Sequence, residues 1–454
     1  MPPSDGAPRL ALCKAFYATN SLGLACLIPF LPLIYASWGL GGARIGRMAA
    51  IRPLVGFIFA PLWSAAADAA GAHGRVHAFC LLAQAFSYAN LRRTSHAWPG
   101  IWFYVAFAEI LSSPNNSLAD AATGSMVRRY NRAKGLREGD PAAESYGRQR
   151  LWGAVSWGFV AAPIMGIIMS KSSARVRERA PFVGWFVFLC VAAGLSTRLE
   201  HKHPDEDATT PAKEEELGEA DANGEFARVA SAEDLHAPRA ESIPRRLWDV
   251  VRQPAVGLKF FLFLMAGASM AITDIYLFLW LKVCGGTPML MGIALFCTCV
   301  TEVIIFYNGA RIKKALSLDW CLILTPFAYS VRQVYYWMLP SLGSPWAVLP
   351  VQFLHGVTFG LYWNTANDFV HEIAPKGLTA SMMGVFSAVN SAGSLAGSLL
   401  GGIAYDAFGG GRLFLGIGLI NLALGVFFTA HKLRSERGDF ASARYVRLEN
   451  PAIA

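Results

Sequence analysis

Long apolar runs alternate along this chain with short polar connections, and each run is about 20 residues, the length a helix needs to cross a bilayer. Twelve such runs can be marked, six before a polar stretch from Arg198 to Gln253 and six after it. The first six cover about Leu10 to Tyr35, Ile45 to Ala67, Val76 to Leu91, Ile101 to Val127, Tyr146 to Met169 and Phe182 to Ser196. The second six cover Leu258 to Leu281, Met289 to Tyr307, Cys321 to Leu339, Ala347 to Asp368, Leu378 to Tyr405 and Leu413 to Leu433. The stretch between them carries the acidic clusters Asp205–Asp207 and Glu214–Glu216 and closes on Arg245, Arg246 and Arg252. With few aromatic or β-branched residues, it buries too little apolar surface to offset its ordering entropy. The pattern predicts an all-α membrane protein with twelve transmembrane helices in two six-helix bundles related by pseudo-two-fold symmetry. Residues 1–197 form the first bundle, 198–253 a disordered polar linker, 254–433 the second bundle and 434–454 a tail.

Composition agrees: 54% of residues are hydrophobic and 16% charged, the balance of an integral membrane protein rather than a soluble enzyme. A formal charge of +9 would suit a nucleic-acid partner, but the basic residues sit in connections and fall mainly on one side of the predicted topology. That is the positive-inside bias. It excludes nucleic acid as a partner and predicts that the linker and both termini are cytoplasmic, in the plasma membrane or an internal one. Lys171, Arg175, Arg177 and Arg179 break the bias, with no account from sequence. The first run is too long for a signal-peptide core. The eight cysteines lie in or beside apolar runs and are expected to be inert thiols. No metal is expected: Cys297-x-Cys299 and His201-x-His203 lack a second ligand pair. Nothing matches a nucleotide-binding loop or a hydrolase motif, so neither an enzyme nor a cofactor is expected.

Function must then lie in polar residues within the apolar runs. Glu109, Ser113, Asn116, Asp120 and Thr123 step by three or four, a stripe down one face of a single helix. Such a stripe must face protein or a water-filled cavity. Asp274, Glu302, Arg332 and His355 each interrupt an apolar run of the second half. An isolated charge there costs about 3 kcal/mol on insertion scales. The halves are weakly repeated, with Asn/Asp-rich turns at Asn115 to Asp120 and Asn364 to Asp368. Gly393, Gly397 and Gly401, beside Ser394, Ser398 and Gly402, form a small-residue ladder suited to close helix packing.

Twelve spans, a central linker, and Ser64-x-x-x-Asp68-x-x-Gly71-x-x-Gly74-Arg75 between spans 2 and 3 resemble the major facilitator superfamily. Ser64 stands where its signature has Gly. The resemblance implies a gating role for Asp68 and Arg75. A closer likeness is to lactose permease, its oligosaccharide–proton symporter relatives and their divergent eukaryotic kin. The run from Tyr146 to Trp157, including Arg148, Gln149, Arg150, Leu151 and Trp152, is similar to span 5 of that branch. There the matching Arg forks onto sugar hydroxyls, the matching Trp stacks on the ring, and a span 4 carboxylate pairs with the Arg. The corresponding residues are Arg150, Trp157 and Asp120, with Asn116 one turn before Asp120.

In the second half, Arg252-Gln253-Pro254, Asp274, Glu302, Ser330-Val331-Arg332 and His355 match the branch's polar positions. The resemblance implies substrate binding at Asp274 and proton coupling at Glu302, Arg332 and His355. Two departures stand out. The branch's proton-binding Glu, one turn after the His, is Thr358. Its span 11 Lys, partner of the span 7 Asp, has no counterpart between Leu378 and Tyr405.

The reading is a secondary transporter for a small polar solute, with saccharide or nucleoside favoured and a proton as coupling ion. The partners are that solute, the proton and membrane lipid. The alternatives are a non-transporting receptor or scaffold with a transporter fold, and a passive facilitator. The topology is checked by protease applied outside sealed cells: the Arg198–Gln253 linker should remain intact, and cleavage there overturns the orientation.

Overall fold

The computed structural model describes residues 8–93, 97–136, 142–199, 243–375 and 378–449, and among them every regular element is helical. Most of the predicted linker lies outside the described residues. Proline sets several helix boundaries, because it lacks the N–H donor and crowds the preceding turn. Helix α1 (Leu10–Leu27) passes through a 3-10 turn at Ile28–Phe30, with Pro29 and Pro32 in its first turns, into α2 (Leu31–Ser37). Then come α3 (Gly42–Ala70) and α4 (His73–Asn90).

The polar stripe predicted for one helix is divided. Pro114 separates α5 (Gly100–Ser112) from α6 (Asn115–Ala133), so Glu109 and Asp120 stand on different helices with different partners. Glu109 accepts a bidentate pair from Arg52 (Nη2 at 2.8 Å, Nε at 3.2 Å) together with the hydroxyls of Ser112 at 3.0 Å and Tyr88. That satisfies a carboxylate in the apolar interior.

Helix α7 (Tyr146–Val155) continues through a π-helical turn at Ser156–Ala161 into α8 (Ala162–Lys171), whose first turn holds Pro163. A shift to π geometry is one way a helix within a bilayer absorbs the donor that proline lacks. Helix α9 (Ala174–Ser196) begins well before its apolar run, so Arg175, Arg177 and Arg179 belong to its first turns rather than to a loop.

The end of the predicted disordered linker is itself helical. Helix α10 (Ile243–Val251) packs Leu247, Val250 and Val251 against the second half. Helix α11 (Pro254–Val283) follows. Helix α12 (Pro288–Met338) folds into two arms at Ser317 (φ 64°), and α15 (Thr379–Glu449) does so at Gly409 (φ 78°). Between them lie α13 (Leu349–Gln352), a second π turn at Gly356–Leu361, and α14 (Tyr362–Ile373). The predicted turn at Asn364 to Asp368 is therefore helix, and Lys313 binds both Asn364 (2.7 Å) and Asp368 from α12. Six helical segments among the described residues are long and apolar enough to cross a membrane: Leu10–Ser37, Tyr146–Lys171, Ala174–Ser196, Pro254–Val283, Pro288–Gly309 and Ser381–Ser435.

The halves meet at one end. The main apolar core joins α1–α9 to Ile275, Tyr276, Leu281, Leu290, Met291 and Leu413 of the second half, all at the end away from the linker. A separate cluster around Phe260, Phe263, Phe369 and Phe386 belongs to the second half alone and lies toward the linker. Close contact at the joined end needs small residues. The Gly158 position lies against Cys299, and a Cβ on Gly402 would come 2.5 Å from the Gly42 carbonyl oxygen. The glycine ladder thus packs as predicted, Gly397 against Ala268 of α11 and Gly402 against α3. Hydrogen bonds join the halves at this end. Met289 N–H donates to Ser170 Oγ (2.8 Å), and Asp406 accepts from the amides of Gly42 (2.6 Å) and Ala43 (2.8 Å).

Asp406 is thus a carboxylate from α15 seated on the N-terminus of α3, where exposed amides and the helix dipole favour negative charge. Removing it should cost the joined end about 1–2 kcal/mol. Spin labels at the exposed Arg44 and Phe408 positions, in a cysteine-replaced background, should report a broader and longer separation in Asp406→Ala than in the parent. An unchanged distribution shows that Asp406 does not latch the halves.

Candidate functional site

Two polar clusters face each other near the middle of the helices, one in each half. In the first, Asp120 of α6 accepts a 2.6 Å hydrogen bond from Tyr17 of α1. The ring of Tyr17 meets that of Tyr146 edge-on, with centroids 6.4 Å apart. Arg150, one turn after Tyr146, donates to its hydroxyl at 3.2 Å and lies over its ring at 6.0 Å. The side chain of Arg150 is exposed although its helix is packed in the fold, so its remaining N–H groups are available.

The resemblance implied a direct Asp120–Arg150 pair. No contact within 4.0 Å joins them; two tyrosines stand between, with each charge in electrostatic reach of the other. Trp157 is the second residue of the π turn and is half-buried against the main core, without a described contact to Arg150. Asn116 is exposed and makes no hydrogen bond among the described residues. Asp68 falls near the end of α3, but its side chain lies outside the described set; Arg75 is exposed in the first turn of α4.

The second cluster is built around Arg332, which is only 3% exposed. Its guanidinium donates to Tyr336 Oη (3.1 Å), Thr358 Oγ1 (2.6 Å) and Gln352 Oε1 (3.2 Å), and approaches His355 Nδ1 at 3.4 Å. A guanidinium has only donors, so Nδ1 must accept and His355 carries its proton on Nε2. That nitrogen points toward Glu302 Oε2, 3.8 Å away. His355, Phe359 and Trp363 stack along the same helix, with centroids 5.3 and 5.9 Å apart.

The expected Glu302–Arg332 neighbourhood therefore has His355 inserted into it. The cation in electrostatic reach of Glu302 is Arg150, from the other half. Asp274, exposed and without a hydrogen bond among the described residues, has Arg332 in reach. A line of groups crosses the molecule: Asp120, Tyr146, Arg150, Glu302, His355, Arg332, Asp274. Both π turns pack against the α12 arm that carries Glu302, and such turns often mark functional positions.

The two departures from the permease pattern answer each other. Thr358 gives Arg332 a hydrogen bond but no countercharge, and the missing Lys leaves Asp274 without its cation. The two charges so released lie within reach of one another. Tyr17, Tyr146, Tyr336 and Gln352 were not foreseen. Tyr146 and Tyr336 each sit four residues from an Arg, the spacing that brings side chains together on a helix, so that signal was present for two of them.

Comparison with known proteins bears on this arrangement. The model of the MFS_1 like family matches residues 10–416. The chain belongs to that family. A relative named "Major facilitator superfamily domain-containing protein 6-like" from Danio rerio is 24% identical, over 90% of this chain and 85% of its own. The "Maltose permease" of Geobacillus stearothermophilus is 25% identical, over 90% of this chain and 91% of its own. Among solved structures, the nucleoside transporter NupG superposes with a TM-score of 0.71 at 13% identity, over 93% of this chain and 98% of its own. The POT family transporter PepTSo gives 0.64 at 11%, over 95% and 99%. This member of the MFS_1 like family is accordingly a multi-pass integral membrane protein with a transporter fold.

Arg150→Lys keeps the charge and loses the planar fork. In a thermal-shift screen against sugars and nucleosides, a compound that stabilises the parent should bind the variant at least about tenfold more weakly, ~1.4 kcal/mol. Trp157→Tyr should lose less, since a stacking face remains. Equal stabilisation of parent and Arg150→Lys removes Arg150 from the site.

Proposed function

We propose that the chain is a secondary transporter that moves a small polar solute, saccharide or nucleoside, by alternating access coupled to a proton. Its twelve spans form two bundles, 1–197 and 254–433, with both termini and the 198–253 linker cytoplasmic. The observation that carries this reading is that Arg150 and Glu302, on opposite halves, lie in electrostatic reach of each other, while Met289–Ser170 and Gly42–Asp406 join the halves at the end away from the linker. The names of relatives point the same way: one is a maltose permease and one structural neighbour a nucleoside transporter.

The solute enters from the linker side. Arg150 forks onto its hydroxyls, Asp120 and Asn116 accept or donate beside it, and Trp157 offers an apolar face. Asp274 lines the opposite wall. Asp68 and Arg75 close the linker end when the halves rock together there. Glu302 is the proton site. Arg150 supports charge on this part-buried carboxylate, and a movement that separates the halves withdraws that support. His355, with its proton on Nε2, faces Glu302 across a gap that one water or solute hydroxyl can bridge. Solute occupancy and proton occupancy are thereby linked through the same pair of charges.

Glu302→Gln mimics the protonated carboxyl. In proteoliposomes it should abolish pH-driven uphill accumulation while leaving solute exchange intact, since exchange needs only the loaded carrier to reorient. Uphill accumulation by the variant removes Glu302 as the coupling residue. A parent indifferent to an imposed pH gradient is a passive facilitator, and one that binds without flux is a receptor.

A further inference from the structure

Arg179, one of the residues that break the charge bias, lines a groove together with two further arginines. Arg92 and Arg93 end the 3-10 turn after α4 (Leu91–Arg93), and Arg179 lies in the early turns of α9. With Ala89, Phe182, Val183 and Phe186 they line a groove of about 510 Å³ at the end away from the linker. One carboxylate serves this rim: Glu178 pairs with Arg92 at 3.3 Å, and Arg93 donates to Asn90 Oδ1 at 3.4 Å. Arg175 and Arg177 add charge on the same helix.

The floor has the opposite character. Phe182 is buried, Phe186 packs edge-on against Phe86 at 5.0 Å, and Val183, Val187 and Phe86 present exposed apolar surface along the outer wall of α4 and α9. A cationic rim above an apolar wall matches a molecule with an anionic head and hydrocarbon chains. Guanidinium forks suit phosphate oxygens.

We infer that this groove binds one anionic phospholipid, its phosphate on Arg92, Arg93 and Arg179 and an acyl chain along Val183 and Phe186. A free phosphate ion would leave the apolar wall uncovered, so lipid is the favoured source of the anion. The site also gives the exceptional charges of α9 a physical purpose, independent of which solute the chain carries.

The test uses full-length protein in phosphatidylcholine nanodiscs with increasing phosphatidylglycerol, and native mass spectrometry to count retained lipid. The parent should keep one phosphatidylglycerol at least fivefold more tightly than phosphatidylcholine. The combined Arg92→Gln, Arg93→Gln, Arg179→Gln variant should lose that preference. A parent without preference, or a variant that keeps it, overturns the assignment. Displacement of the lipid by millimolar inorganic phosphate makes the groove a soluble-anion site and overturns the lipid reading. A phosphatidylglycerol with a photoactivatable headgroup, applied to the parent, should mark residues 89–93 or 179–186. Adducts found only elsewhere overturn the proposal without any variant.

Discussion

A charge in the middle of a bilayer must find a partner inside the protein, and most of this architecture follows from how each charge does so. Glu109 satisfies the requirement completely, with both nitrogens of a fork and two hydroxyls. Between spans, beside the fold of α12 at Ser317, Asp319 pairs with two lysines, Lys259 of α11 and Lys432 of α15, each at 2.7 Å. Such pairs are consumed by structure. Arg332 is treated differently: its partners are hydroxyls, an amide and an imidazole, all of which hold its geometry and none of which neutralises it. The unspent charge is what Asp274 responds to.

That contrast separates scaffold from working parts. A carboxylate enclosed by cations within hydrogen-bond distance has little reason to change protonation. Glu302 has an imidazole at 3.8 Å and a guanidinium from the other half in electrostatic reach, so its surroundings depend on how the halves are set. Proton coupling on this reading needs no special relay chain. It needs one carboxylate and a cation, Arg150, supplied by the other half.

The contact between the halves is concentrated where small residues line both sides. Where they join, Gly158 against Cys299 and Gly402 against Gly42 permit close approach, and the aromatic pairs Phe30–Phe278 and Phe159–Phe296 cross the joint. Dispersion between close backbones is substantial in sum but weak per contact. The directional bonds across the joint are few, and the pair at Asp406 is the most specific of them.

The apolar periodicity, and with it the helical class and the six segments long and apolar enough to cross a membrane, was legible in the chain before any contact was known. The sequence also marked every charged residue of the central line, because a charge in a run that must lie in lipid is conspicuous wherever the chain folds. Helix interruptions were less legible: Pro114 was visible, but a proline alone does not tell a kink from a break, and the two π turns leave no pattern of their own. Partner choice was decided only in three dimensions. Tyr17 and Asp120 are far apart in the chain, and Arg150 and Glu302 lie on opposite sides of the linker. No spacing rule reaches across such separations. Which cation answers which carboxylate is settled by helix packing, since the energy of a buried charge depends on distances that only the assembled bundle fixes.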